Sequence, residues 1–239
     1  MKILALDTSS TACSAAVCFD GVIRARQFEI IGRGHAERLV PMITEVLDAA
    51  DTEFTALDLL ATTVGPGTFT GLRVGLATAR GLALAGDLPV AGITTFEASA
   101  HDLWLAADLD EPPARGSGAR LIAALDARRG EIYVQAFHAD MEPAGPPETG
   151  PAEEIAANWP AGKTWYLAGT GAGTLATALQ QHGIKVKRGT PPGLPDAAAV
   201  ADLCARRYGG RGHPLPNKPP SPMYLRPPGA RVPRNICRP

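Results

Sequence analysis

A short motif near the start of the chain returns halfway along it. Ile3-Leu4-Ala5-Leu6-Asp7 is matched by Ile122-Ala123-Ala124-Leu125-Asp126, and the two Asp residues lie 119 positions apart in a chain of 239. In both copies an apolar run ends at an Asp, a short turn follows, and a second apolar run returns. Four or five apolar residues and an Asp can coincide by chance. The shared strand–Asp–turn–strand context favours duplication, and a repeat on this scale predicts two related lobes rather than a solenoid.

The elements around each copy fit that reading. Ile3–Leu6, Cys13–Phe19 and Val22–Ile31 read as three antiparallel strands, with Asp20-Gly21 as a hairpin turn. Leu39, Met42, Ile43, Val46 and Leu47 form a helical stripe, with Pro41 tolerated in or near the first turn. Leu57–Val64 is a strand, and a helix runs from a Thr68 or Thr70 cap to about Ala85. Pro89–Ile93 is a strand and Thr94–Ala107 a helix; Asp108–Gly118 reads as a linker. The second half offers strands at Leu121–Leu125, Ile132–His138, Trp165–Ala168 and Ile184–Lys187. Its helices fall at Thr174–His182 and Asp196–Tyr208, and Met141–Pro151 is a Pro/Gly-rich stretch. The expected organisation is a first lobe at 1–107, joined by the helix at 195–208, a second lobe at 119–194, and a Pro-rich basic tail at 209–239.

Charge separates the tail from the body. The last 31 residues hold nine prolines and six Lys/Arg without an acid, so the other residues carry a net −7 beneath a total of −1. A polyanion would have to meet the tail or a local patch. The tail itself reads as extended and loosely ordered. Cys13, Cys18, Cys204 and Cys237 show no metal-binding spacing, and the opening residues do not form a secretory signal. The expectation is a cytoplasmic protein with free thiols and no membrane segment.

Three motifs have chemical potential. Asp7 and Asp126, with Thr8, Ser9 and Ser10 and with Arg128, Arg129 and Gly130, could hold a Mg-phosphate group between two lobes; strand-end Asp residues also serve simply to fix turns. Gly65-Pro66-Gly67-Thr68-Phe69-Thr70-Gly71-Leu72-Arg73 joins a strand to a helix, where exposed N–H groups could meet an anion, but no Gly-Lys-Ser/Thr follows. Its Gly71, Gly75 and Ala79 form a small-residue stripe that fits either packing inside the lobe or a helix–helix subunit interface. Gly169-Thr170-Gly171-Ala172-Gly173 is weak as a dinucleotide signature and also fits a turn passing close to a ligand or strand. The five histidines show no metal spacing, and no Gly-x-Ser-x-Gly elbow is present.

Together these segments resemble the TsaB (YeaZ) family. The match rests on Ile-Leu-Ala-Leu-Asp-Thr-Ser at 3–9, Gly-His-Ala-Glu-Arg-Leu-Val-Pro at 34–41 and Gly-Pro-Gly-Thr-Phe-Thr-Gly-Leu-Arg-Val-Gly at 65–75. Leu-Asp-Ala-Arg-Arg-Gly-Glu-Ile-Tyr at 125–133 and Pro-Met-Tyr-Leu-Arg at 222–226 extend it over nearly the whole chain, and the 65–75 segment is the most specific. The resemblance implies an α/β, actin/Hsp70/sugar-kinase-like (ASKHA) duplicated two-lobe fold with mixed sheets flanked by helices. It implies a role in making threonylcarbamoyladenosine at the tRNA adenosine next to the anticodon. The partners implied are a metal-containing catalytic paralogue, TsaD, and an ATPase, TsaE, with tRNA met through the complex and a homodimer formed when the chain is alone.

The catalytic paralogue carries a His pair after its equivalent of the long helix. Here those positions fall on Thr95 and Ser99, and hydroxyls replace imidazoles poorly on a transition metal. The expectation is a scaffold subunit with no catalytic residue, no catalytic metal and no enzyme activity of its own. Its subunit interface is expected at His35, Leu39, Met42, Phe69, Gly71, Arg73, Gly75 and Ala79. Asp7, Thr8, Ser9, Asp126, Gly169 and Gly171 are the residues that would meet ATP or ADP with Mg, either in the cleft or at the subunit boundary. The alternative is an independent ATPase or small-molecule kinase of the actin-like fold.

Overall fold

The computed structural model describes residues 1–105, 120–138, 141–160, 164–188, 193–210 and 213–226. The linker expected at Asp108–Gly118, Cys237 and the tail beyond Arg226 lie outside the described residues. In chain order the elements are β1 (Lys2–Asp7), β2 (Ala12–Phe19), β3 (Val22–Ile30), α1 (His35–Ala49), β4 (Leu59–Gly65), α2 (Phe69–Gly86), β5 (Val90–Thr94) and α3 (Thr95–Leu105). The second half continues with β6 (Arg120–Asp126), β7 (Glu131–Phe137), β8 (Glu148–Pro151), α4 (Ala152–Ala157), β9 (Thr164–Ala168), α5 (Ala172–Gln181), β10 (Lys185–Arg188) and α6 (Ala197–Tyr208).

The duplication is visible in the sheets. The first has strand order β3-β2-β1-β4-β5 and the second, read from the other edge, β8-β7-β6-β9-β10. In each, the first three strands are antiparallel neighbours and the last two add in parallel. Parallel strands need a crossover, and α1 with α2, and α4 with α5, supply it. Strands β1 and β4 are covered on both faces, which is why they read as continuous apolar runs rather than as alternation.

One arrangement could not be read from periodicity. The last helix of each half packs on the other half's sheet: α3 lies against β6 and β9, and α6 lies against β1 and β2. The two helices cross between the lobes. There His101 Nε2 meets Asp202 Oδ2 at 2.6 Å, and Arg207 donates to Glu97 at 2.5 Å. Ser14 Oγ accepts the Ala197 N–H at 2.9 Å, and Asp196 caps α6 by accepting from Ala198 N.

Three segments differ from the sequence reading, the first being α4 (Ala152–Ala157), a helix with no counterpart among those expected. Part of the Pro/Gly-rich stretch ending at Pro151 is a strand, β8. Glu-Thr-Gly-Pro has no apolar alternation and is held by pairing to β7, at the sheet edge where a proline is tolerated. The region after Gly209 is not loose throughout. Residues 220–226 form a strap that bonds to both lobes: Met223 N–H donates to Val64 O at 2.7 Å, and Arg226 donates to Ala127 O at 2.8 Å. Among the described residues no helix is long and apolar enough to cross a membrane.

Candidate functional site

The ends of β1 and β6 meet across a cleft of about 300 Å³ between the lobes. One wall is built by the β1–β2 loop (Ser9, Ser10, Thr11) and the β4–α2 turn (Pro66, Gly67, Thr68). The other is built by the β6–β7 turn (Asp126, Ala127, Arg128) with Tyr133 and Thr170. Thr95, at the start of α3, also lines it. Each wall ties a turn back to its Asp-bearing segment by a backbone hydrogen bond. In the first, Thr68 N–H donates to Ser9 O at 2.8 Å; in the second, Gly171 N–H donates to Ala124 O at 2.9 Å.

Asp7 does not face this cleft. Its side chain is fully buried, and Oδ1 accepts from Thr63 Oγ1 at 2.6 Å, Ser9 Oγ at 2.7 Å and Ser9 N–H at 3.2 Å. Oδ2 is buried without a hydrogen-bond partner. Burial pushes the carboxyl up to about 6, against the bonds from Thr63 and Ser9 that pull it down. The folded state therefore holds this proton more tightly than the unfolded chain does. The stability from this group is fully present below about pH 4 and is lost as pH rises through about 6, a difference of about 3 kcal/mol. Asp7→Asn keeps an acceptor for Thr63 and Ser9 but cannot ionise. Urea unfolding of both proteins between pH 4 and 7.5 should show the wild type losing about 2–3 kcal/mol relative to the variant. Parallel curves would mean that Asp7 does not titrate inside the fold.

The other candidate residues are equally committed. Thr8 Oγ1 donates to Gly71 O at 2.7 Å. Asp126 lines the cleft, but Oδ1 accepts the Arg128 N–H at 2.7 Å and Oδ2 lies 3.6 Å from the Arg128 guanidinium. Gly169, at φ +97°, brings its backbone against β6 so closely that an added Cβ would stand 2.3 Å from Ala124 O. Gly171 packs on Leu125 in the same way. The Gly169 loop is thus a turn passing close to a strand. Asp7, Thr8, Gly169 and Gly171 shape the cleft from behind, whereas Ser9 and Asp126 reach its surface. Sequence reasoning missed Thr63, Tyr133 and Thr170; the Thr62-Thr63 pair inside an apolar strand was the available signal for the first.

A magnesium–triphosphate group needs carboxylate oxygens presented to hydrated metal. Among the described lining residues the one carboxylate is Asp126, already held by Arg128, and Asp7 is turned into the core. This donor set does not fit that group. Nor do the described thiols suit nucleophilic chemistry: burial pushes Cys13 up to about 11 and Cys204 up to about 12.

The expected interface residues divide sharply. Leu39, Met42, Gly71, Gly75 and Ala79 are buried inside the first lobe. The stripe lets α2 approach the β1–β2 loop, since added Cβ atoms at Gly71 and Gly75 would lie 2.0 Å from Thr8 O and 2.6 Å from Thr8 Oγ1. These five residues, expected at the subunit interface, pack within the first lobe. His35 is half-buried, with Nε2 3.1 Å from Ala12 O. Phe69, 58% exposed, and Arg73, whose guanidinium stands 3.3 Å from the Phe69 ring centroid, remain on the surface.

Comparison with known proteins gives these features a family. The family model described as TsaD, tRNA N6-adenosine threonylcarbamoyltransferase, matches residues 27–164. The structure of YeaZ from Pseudomonas aeruginosa is similar at a TM-score of 0.75 and 32% identity, over 94% of this chain and 99% of that one. The chain belongs to the TsaB (YeaZ) family. The tRNA threonylcarbamoyladenosine biosynthesis protein TsaB of Escherichia coli is 40% identical over 141 residues, 59% of this chain and 56% of that protein. The chain thus spans little more than half the length of that curated relative. The ethanolamine utilization protein EutJ of Carboxydothermus hydrogenoformans, 12% identical at a TM-score of 0.50 over 84% of this chain and 89% of that one, shares the fold. The duplicated two-lobe α/β fold with mixed sheets flanked by helices, expected from the family resemblance, is the one observed.

Proposed function

We propose that this chain is a non-catalytic subunit of the cytoplasmic machinery that makes threonylcarbamoyladenosine in tRNA. It pairs with a catalytic paralogue of the TsaD type, works with a TsaE-type ATPase, and meets tRNA through the assembly. The name printed for the Escherichia coli relative supports the process. The observation that carries the subunit role is the pair of α3 hydroxyls, Thr95 at the cleft and Ser99 one turn later. Both are buried without hydrogen-bond partners, at the positions where the family resemblance places the catalytic paralogue's imidazoles. Any nucleotide that takes part binds at the boundary with the partner, because this cleft's donors do not fit it.

The docking surface is the outer side of α1 and α2. Phe69, Arg73, Ala77, Arg80 and Leu84 are exposed along α2, with Leu84 at 89%. Glu37, Val40, Glu45 and Asp48 are exposed along α1. An acidic helix beside a basic one, each with apolar residues among the charges, suits a partner with the same helix pair in inverse order. That describes a paralogue or, in its absence, a second copy.

The test is reconstitution with the paralogue, the ATPase and the enzyme that makes the threonylcarbamoyl donor. Modified nucleoside, read by mass spectrometry of digested tRNA, should fall at least tenfold when this chain is omitted. Undiminished modification without it would defeat the reading.

A further inference from the structure

The strap bonds directly to the second wall of the cleft and, on the first lobe, to residues that flank the first wall. On the first lobe, Arg80 donates to the Pro220 carbonyl at 2.5 Å. Pro220 covers β5 so closely that a Cβ added at Gly92 would stand 2.7 Å from Pro220 Cβ. Met223 bonds to Val64 O, two residues before the cleft-lining Pro66, and the Tyr224 ring lies 6.2 Å from that of Phe69, next to the cleft-lining Thr68.

On the second lobe, Met223 and Leu225 pack against the apolar cluster that contains Leu121, Leu125 and Phe137. Arg226 then grips the β6–β7 turn. One nitrogen donates to Ala127 O at 2.8 Å, another pairs with Glu131, and the guanidinium lies 5.6 Å from the Tyr133 ring centroid. Ala127 and Tyr133 both line the cleft. This turn needs a hold, because Arg128, Arg129 and Gly130 adopt φ of 65°, 58° and 79° in succession. Non-glycine residues stay in that left-handed region only when their surroundings demand it.

We propose that residues 220–226 are a latch that fixes the separation of the two cleft walls, with Arg226 as the positioning residue for the Asp126–Gly130 turn. The crossing helices α3 and α6 would otherwise act as a hinge, and a strap bonded to backbone on both sides opposes opening about it. The latch belongs to the chain by itself, and through Arg80 and Phe69 it reaches the face of α2 proposed for docking.

Amide hydrogen exchange on the full chain tests it. Arg226→Ala should raise exchange at least tenfold in residues 64–69 and 125–133 together, while β2 and α6 stay protected. Arg226→Lys, which cannot span Ala127 O and Glu131 as a planar fork does, should restore only part of the protection. A rise confined to 125–133 would make Arg226 a local brace and overturn the latch, as would no change at all. If Arg226→Ala does not fold, Glu131→Gln decides by the same criterion, since it weakens one arm of the grip and leaves the Ala127 bond in place.

Discussion

Gly71→Ala should cost about 3–5 kcal/mol, a large share of the roughly 5–15 kcal/mol that holds a domain of ordinary stability together. The added methyl would stand 2.0 Å from Thr8 O and 2.5 Å from Thr68 Oγ1. Neither neighbour is free to retreat. Thr8 lies between Asp7 and Ser9, whose buried hydrogen bonds define the loop, and Ser9 O accepts from Thr68 N–H. Relief would have to come from lifting the first turn of α2 off the sheet. Gly81 on the same helix supplies the control: an added Cβ there meets nothing within 4 Å. Gly81→Ala should therefore stabilise by about 1 kcal/mol through helix propensity alone. The same chemical change, twice on one helix, is expected with opposite signs in urea unfolding. A Gly71→Ala protein within about 1 kcal/mol of wild type would show that α2 does not sit on the β1–β2 loop as described.

A second large effect is expected where the helix faces outward. Phe69→Asp combined with Arg73→Glu should weaken association with the paralogue, or of the chain with itself, at least 100-fold, about 3 kcal/mol. The two side chains act as one unit, since the Arg73 guanidinium lies over the Phe69 ring. Aromatic and Arg anchors dominate interfaces of this kind, and the substitution replaces a cation and an apolar face with two anions. Because Phe69 and Arg73 are exposed, the unfolding midpoint should move little. Calorimetric titration reads the association and thermal unfolding reads the fold. Unchanged affinity with an intact fold would remove this face from the interface and leave the Thr95 and Ser99 argument untouched.

Much of the architecture was legible because it is written in local patterns. The apolar runs ending at Asp7 and Asp126 announced the two inner strands, and the Asp20-Gly21 turn announced the first hairpin. The stripe from Leu39 to Leu47 announced the buried face of α1. What was not legible depended on what a surface meets. Gly71, Gly75 and Ala79 announce a close approach, but a stripe of small residues does not say to what; the answer is a loop of the same lobe. Asp7 announces a special position, yet only packing shows that its carboxyl is enclosed while Asp126, its counterpart, reaches the cleft. Strand β8 has no apolar alternation and exists through its register with β7. The segment 220–226 carries no periodicity, so its role across the lobes could not be read from composition.

The exchange of closing helices between the halves has a consequence for synthesis on the ribosome. The face of the first sheet formed by Ile3, Ala5, Leu59, Ala61 and Ile93 is covered by α6, and α6 begins at Ala197, roughly a hundred residues of translation after β5. At about 5–20 residues per second, that apolar surface waits some 5–20 s for its cover. The amino-terminal half thus emerges with this apolar face uncovered until α6 has left the exit tunnel.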